Sequence, residues 1–159
     1  VNIASRCAGV LRKKFANTLS NHCEEPALVQ GFIAAGDDIA ALYEAREFSR
    51  AMREIIALAD QANQYIDEKK PWVLAKEPGK ENEVQAVCSV GINLFRALIT
   101  YLKPVLPVMA ERSEAFLKIS LDWHLLESPL LGHELDDFKP LLQRVDPDNV
   151  SAMVEDGKS

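Results

Sequence analysis

The sequence predicts an all-α protein: an antiparallel helical bundle followed by an irregular C-terminal extension ending in a short helix. Three observations carry this reading. Apolar residues recur at three- and four-residue spacing along most of the chain. Prolines and glycines fall between these periodic stretches, where they end one helix and begin the next. No run of alternating polar and apolar residues marks a strand of any length. At 159 residues the chain is long enough for one substantial core. The bundle is assigned to residues 1–119 and the extension to residues 120–159.

The first helix is expected from about Val1 to Leu19, with Ile3, Cys7, Val10, Leu11 and Phe15 forming its buried stripe. At about 100° per residue, Asn2, Arg6, Gly9 and Lys13 fall in a narrow sector beside that stripe. Asn2 and Arg6, one turn apart, either belong to a solvated face or present an amide and a guanidinium side by side. The linker N-H-C-E-E-P leads into a second helix, Pro26 to Ala45, with Leu28, Phe32, Ile39, Leu42 and Tyr43 on its apolar side. A third begins near Glu47. Its seam of Phe48, Met52, Ile55, Ala59, Ala62 and Ile66 runs up to Pro71.

The string E-P-G-K-E-N reads as a turn. A fourth helix follows from about Glu81 to Leu102, with Val84, Val87, Cys88, Ile92, Phe95, Leu98 and Ile99 facing inward. Pro104 ends it and Pro107 opens a fifth, with Leu106, Met109, Phe116 and Leu117 as its apolar residues, running to about Ile119. From Ser120 the periodicity breaks up. A final short helix is expected from Pro147 to Glu155, capped by Asp146. The chain opens without a methionine, inside a helical pattern that lacks a cap, so it is expected to be cut from a longer protein.

Trp72 is the most informative residue. Pro71 stops the third helix, because its ring disfavours helical geometry in the residue before it. The indole just past that stop has little helical core left to enter, and Lys69, Lys70 and Lys76 surround it in sequence. An exposed aromatic face beside cations is suited to stacking an unpaired base. The competing reading is a tryptophan that plugs the end of the bundle.

Several function classes are disfavoured. A formal charge of −6 argues against a general nucleic-acid coat, which must neutralise many phosphates. A local positive patch built from Arg6, Arg12 to Lys14 and the Lys69 to Lys76 group remains compatible with reading a few splayed bases. The apolar runs are too broken to predict a membrane span, and no signal peptide opens the chain. Cys7, Cys23 and Cys88 are odd in number and scattered, so no disulfide framework is implied. Cys7 and Cys88 sit on apolar faces as small core residues, and a reducing cytoplasm is the expected setting. There is no phosphate-binding glycine loop and no nucleophile with a base beside it. His124 with Glu127 is the nearest approach to a metal-ligand pair, and it stands alone.

Four stretches carry a resemblance: V-N-I-A-S-R at the start, R-E-F-S-R-A-M-R-E-I-I-A-L-A-D-Q-A-N-Q-Y-I-D-E-K-K-P-W, S-V-G-I-N-L-F-R-A-L-I-T-Y-L-K-P-V-L-P, and L-L-G-H-E-L-D-D-F-K-P-L-L-Q-R-V-D. Together they resemble the C-terminal anticodon-binding domain of bacterial methionyl-tRNA synthetase, a class I aminoacyl-tRNA synthetase. The resemblance implies that Trp72 stacks the first anticodon base, a cytosine, and that Asn2 and Arg6 read anticodon bases by their edges. It implies further that Pro71 fixes the tryptophan loop and that Asp67 helps to organise the site. The parent enzyme would join methionine to its tRNA using ATP with magnesium, and some relatives bind zinc; none of these cofactors is expected in this chain, which would be inactive alone. Its implied partners are the anticodon loop of initiator and elongator methionine tRNAs and a catalytic domain of the same chain, toward which the extension would pack. No membrane partner is implied. The alternative is a non-catalytic helical protein-interaction module.

Overall fold

In a computed structural model, residues 2–21, 23–123, 126 and 128–138 are described. The helices are α1 (Asn2–Phe15), α2 (Pro26–Glu44), α3 (Phe48–Lys69), α4 (Pro71–Leu74), α5 (Glu81–Leu102) and α6 (Pro107–Leu117). The only strand-like pairing among the described residues is an isolated antiparallel bridge between Thr18 and Glu134. The protein is therefore an all-α bundle. The short helix expected at Pro147 to Glu155 lies outside the described residues, as do His124 and Glu127.

Helix α5 is the axis, with α1, α2, α3, α4 and α6 all packed against it. Its sequence explains why. From Val84 to Tyr101 almost every side chain is buried, including Val87, Cys88, Ile92, Leu94 and Ile99. A helix apolar on all sides must be enclosed. Each such aliphatic side chain contributes about 1.5–3 kcal/mol of transfer free energy. The same composition makes α5 long and apolar enough to cross a membrane, contrary to the expectation from its broken apolar runs. Here that apolarity is spent inside the bundle, where α5 is almost wholly enclosed.

Gly91 sets how closely α1 and α3 approach this axis. A Cβ at Gly91 would lie 2.7 Å from the Cys7 sulfur and 3.0 Å from Cδ1 of Ile66. Cys7 on α1 and Ile66 on α3 therefore lodge in one notch on α5. Both are buried, as the apolar faces predicted.

Two boundaries differ from the sequence expectation. Helix α1 stops at Phe15, short of Leu19, because Ala16 and Asn17 turn left-handed at φ 50° and 62°. The Asn17 N–H then donates to the carbonyl of Leu11 across the helix end at 3.1 Å. Asparagine tolerates that conformation better than most residues. The second difference is α4, one further helical turn after the Pro71 stop.

The described part of the extension shares the bundle's core, with Leu121, Leu126 and Leu135 buried. It has little regular structure, so its backbone polar groups need other partners. The Asn93 side chain supplies two of them: its amide nitrogen donates to Leu130 O at 3.1 Å, and its oxygen accepts from Leu130 N at 2.6 Å. Arg96 donates to Ser128 O at 2.9 Å and Lys103 to Leu121 O at 2.8 Å. Trp123 donates to Gly36 O at 3.2 Å.

Candidate nucleic-acid interface

The site forms where α1, the end of α3 and α4 meet. Lys70 leaves α3 in the left-handed region at φ 46°, its N–H donating to Ile66 O at 2.8 Å. Pro71 then opens α4, where its fixed φ suits the first helical position and its missing N–H costs nothing. Pro71 is buried, so this reversal is anchored in the core. The turn that follows rolls Trp72 against α1.

Trp72 is consequently half-buried, packed against the core along one side. This corrects the expectation of a bare indole: helical geometry resumes after Pro71 and gives the ring neighbours. The cation beside it is also not one of the lysines nearest in sequence. The Arg6 guanidinium lies over the ring, 4.8 Å from its centroid. The same guanidinium is 3.6 Å from the Asp67 carboxylate, with the two side chains 52% and 67% exposed. Arg6, Asp67 and Trp72, from three different helices, are thus brought together. Asn2 is placed by its backbone in the first turn of α1, four residues before Arg6 and on the same helix face.

The Gly91 notch explains why this meeting is well defined. Cys7 and Ile66, the residues packed into it, are the chain neighbours of Arg6 and Asp67. The α5 axis therefore holds the two charged residues in register. At the other end of α1, Lys14 Nζ donates to the carbonyl of Ala75, tying that helix to the end of α4.

Chemically the arrangement can bind and orient, since it offers a guanidinium, a carboxylate and an aromatic face. No three His, Cys, Asp or Glu side chains among them come together to hold a metal ion. The hydrogen bond with the neighbouring Cys88, and then burial, push the Cys7 thiol well up, as suits an inert core cysteine rather than a nucleophile.

Sequence reasoning missed two residues that shape the site and its surroundings. Gly91 carries no signal in the sequence beyond its place in an apolar run. Asn93 lies in the same run, where its flanking apolar residues mark it as a buried amide requiring partners.

A sequence profile described as the anticodon binding domain of methionyl tRNA ligase matches residues 18–155. The matched span includes Asp67, Pro71 and Trp72 and begins after Asn2 and Arg6. Among solved structures, the fold is similar to apo methionyl-tRNA synthetase of Mycobacterium tuberculosis, with TM-score 0.82 and 18% identity over 92% of this chain and 32% of that one. It is also similar to the Mycobacterium tuberculosis enzyme in complex with methionyl-adenylate, with TM-score 0.81 and 18% identity over 90% of this chain and 30% of that one. At such identity the structures speak to the fold, and the chain spans about a third of their length. The profile, which covers most of the chain, speaks to descent. The chain belongs to the family of anticodon-binding domains of methionyl tRNA ligase.

Proposed function

We propose that this chain reads the CAU anticodon of initiator and elongator methionine tRNAs, as the recognition part of a cytoplasmic methionyl-tRNA synthetase. In that enzyme a catalytic domain of the same chain joins methionine to tRNA using ATP with magnesium. Zinc, where a relative binds it, belongs with that domain as well. The proposed readers are Trp72, Arg6 and Asn2, with Pro71 and Asp67 as supports.

The observation that carries this reading is the Arg6 guanidinium held between an indole face and a carboxylate on a partly exposed surface. Stacking a base on an aromatic ring is worth about 1–3 kcal/mol and tolerates any base, so Trp72 supplies affinity rather than choice. Choice falls to edge contacts. Arg6 offers donors to the carbonyl and ring-nitrogen acceptors of cytosine, and Asn2 offers both a donor and an acceptor. A wrong base leaves such groups unpaired, at about 1–3 kcal/mol each.

Magnitudes decide whether Arg6 is available. An exposed ion pair is worth about 0–1 kcal/mol, and a cation–π contact at an exposed site about 0.5–1 kcal/mol. Charge-assisted hydrogen bonds to a base, about 1.5–3 kcal/mol, match or exceed what Arg6 gives up. The base then takes the ring face that the guanidinium leaves, with the guanidinium moved to the base's edge.

The test is a titration with an anticodon stem-loop RNA carrying CAU. Trp72→Ala is expected to weaken binding about tenfold or more while helical circular dichroism is preserved. Unchanged affinity contradicts the assignment.

A further inference from the structure

Gly9 has no packing reason to be glycine. It lies in the interior of α1 and is exposed, and a Cβ built there meets nothing within 4 Å. Glycine is the least favourable residue in a helix interior apart from proline. Where the fold does not require it, the bare backbone is open to close approach by another molecule, and the surroundings decide whether one comes.

Its surroundings specify that molecule. Gly9 lies between Arg6 and Lys13 on one face of α1, three residues from the first and four from the second. By helix geometry the face runs roughly 10 Å from Arg6 to Lys13. Helix α1 carries Arg6, Arg12, Lys13 and Lys14 and no acidic residue, although the chain as a whole has a charge of −6. Three of the four cations are engaged within the protein. Arg6 meets Asp67 and Trp72, Arg12 is 3.7 Å from Asp137, and Lys14 holds Ala75 O. Lys13 is exposed and makes no ion pair or hydrogen bond among the described residues.

We propose that the α1 face from Arg6 across Gly9 to Lys13 seats the sugar–phosphate backbone of the RNA strand leaving the Trp72 site. The strand lies against the bare helix backbone at Gly9, and Lys13 neutralises one of its phosphates. This rests on the anticodon reading of Trp72 and adds a contact that is independent of base identity. A methyl group at Gly9 would stand between helix and strand. Loss of the Lys13 charge would remove one released counterion from the binding equilibrium.

A second glycine supplies the control. Gly31 is likewise exposed within α2, and a Cβ there also meets nothing within 4 Å. Its helix carries no cation. Both Gly9→Ala and Gly31→Ala are expected to raise the melting temperature by about 2–4 °C. Only Gly9→Ala is expected to weaken binding of the CAU stem-loop, by roughly tenfold, equivalent to about 1.4 kcal/mol. Lys13→Gln is expected to flatten the slope of log affinity against log salt concentration by about 0.7–0.9. A stabilised Gly9→Ala variant with wild-type affinity overturns the inference, provided Trp72→Ala still weakens binding. So does a Lys13→Gln variant with an unchanged salt slope. Wild-type affinity in Trp72→Ala overturns the reading beneath it, and this inference with it.

Discussion

The Arg6 guanidinium sits 4.8 Å above the Trp72 ring and 3.6 Å from the Asp67 carboxylate, so one cation joins the first helix to both sides of the Pro71 break. Neither contact is strong, since both involve exposed groups. Their importance lies in placement. They keep a five-donor side chain beside the aromatic surface on which a base would stack.

This placement predicts how Arg6→Gln behaves. Affinity for CAU and for a stem-loop with a substituted base should converge, their ratio falling by roughly tenfold as one charge-assisted contact is lost. Competition binding with the two RNAs measures it. A preserved ratio would assign discrimination to other residues.

Gly91 is predicted to matter to the interface without lying on it. Gly91→Ala puts a methyl 2.7 Å from the Cys7 sulfur and 3.0 Å from Ile66, so these side chains, or the helices that carry them, must shift. Overpacking of this kind costs about 1–3 kcal/mol. Urea unfolding should report that loss, and stem-loop affinity should fall as Arg6 and Asp67 lose register. Full stability in the variant would show that the notch yields freely.

Asn93 is predicted to hold the extension. Asn93→Ala removes both partners of the Leu130 backbone, leaving an N–H and a C=O to find water or remain unpaired. A loss of about 1–3 kcal/mol is expected, with faster proteolytic cleavage between residues 120 and 138. Cleavage at the wild-type rate would indicate that the apolar contacts of Leu121 and Leu135 suffice.

Alkaline pH should unfold the bundle by way of its buried phenols. Burial, and then the charge of Asp37, pushes the Tyr101 hydroxyl up to about 12. In the folded state that hydroxyl donates to the carbonyl of Phe32. The unfolded phenol ionises near its ordinary value of about 10. The neutral form is therefore favoured by folding, so stability is complete below about pH 10 and is lost as pH rises through about 12. Circular dichroism during an alkaline titration checks the window. A decline that began at neutral pH would point to another group.

The fold was legible because its signal is periodic. The seams of α3 and α5 and the punctuation at Pro71, Pro104 and Pro107 locate most helix ends to within a few residues. The early end of α1 was not legible, since Ala16 bears no mark of its left-handed conformation. Asn17 alone hinted at it. At the interface, residue types and helix sectors could be read, including the Asn2, Arg6, Gly9 and Lys13 face. The exposure of Trp72 could not, because it depends on α4 resuming a helical turn and on α1 lying alongside. The Arg6–Trp72 contact joins residues distant in sequence, and no spacing rule reports such a pair. It follows instead from the Gly91 notch, which draws α1 and α3 onto one axis.

The most direct measurement is the fluorescence of Trp72 in a Trp123→Phe background during titration with the CAU stem-loop. Stacking on the indole predicts saturable quenching that tracks binding measured independently and weakens when the first anticodon base is removed. Binding with unchanged Trp72 emission would contradict the account, because the RNA would then be held somewhere other than on that ring.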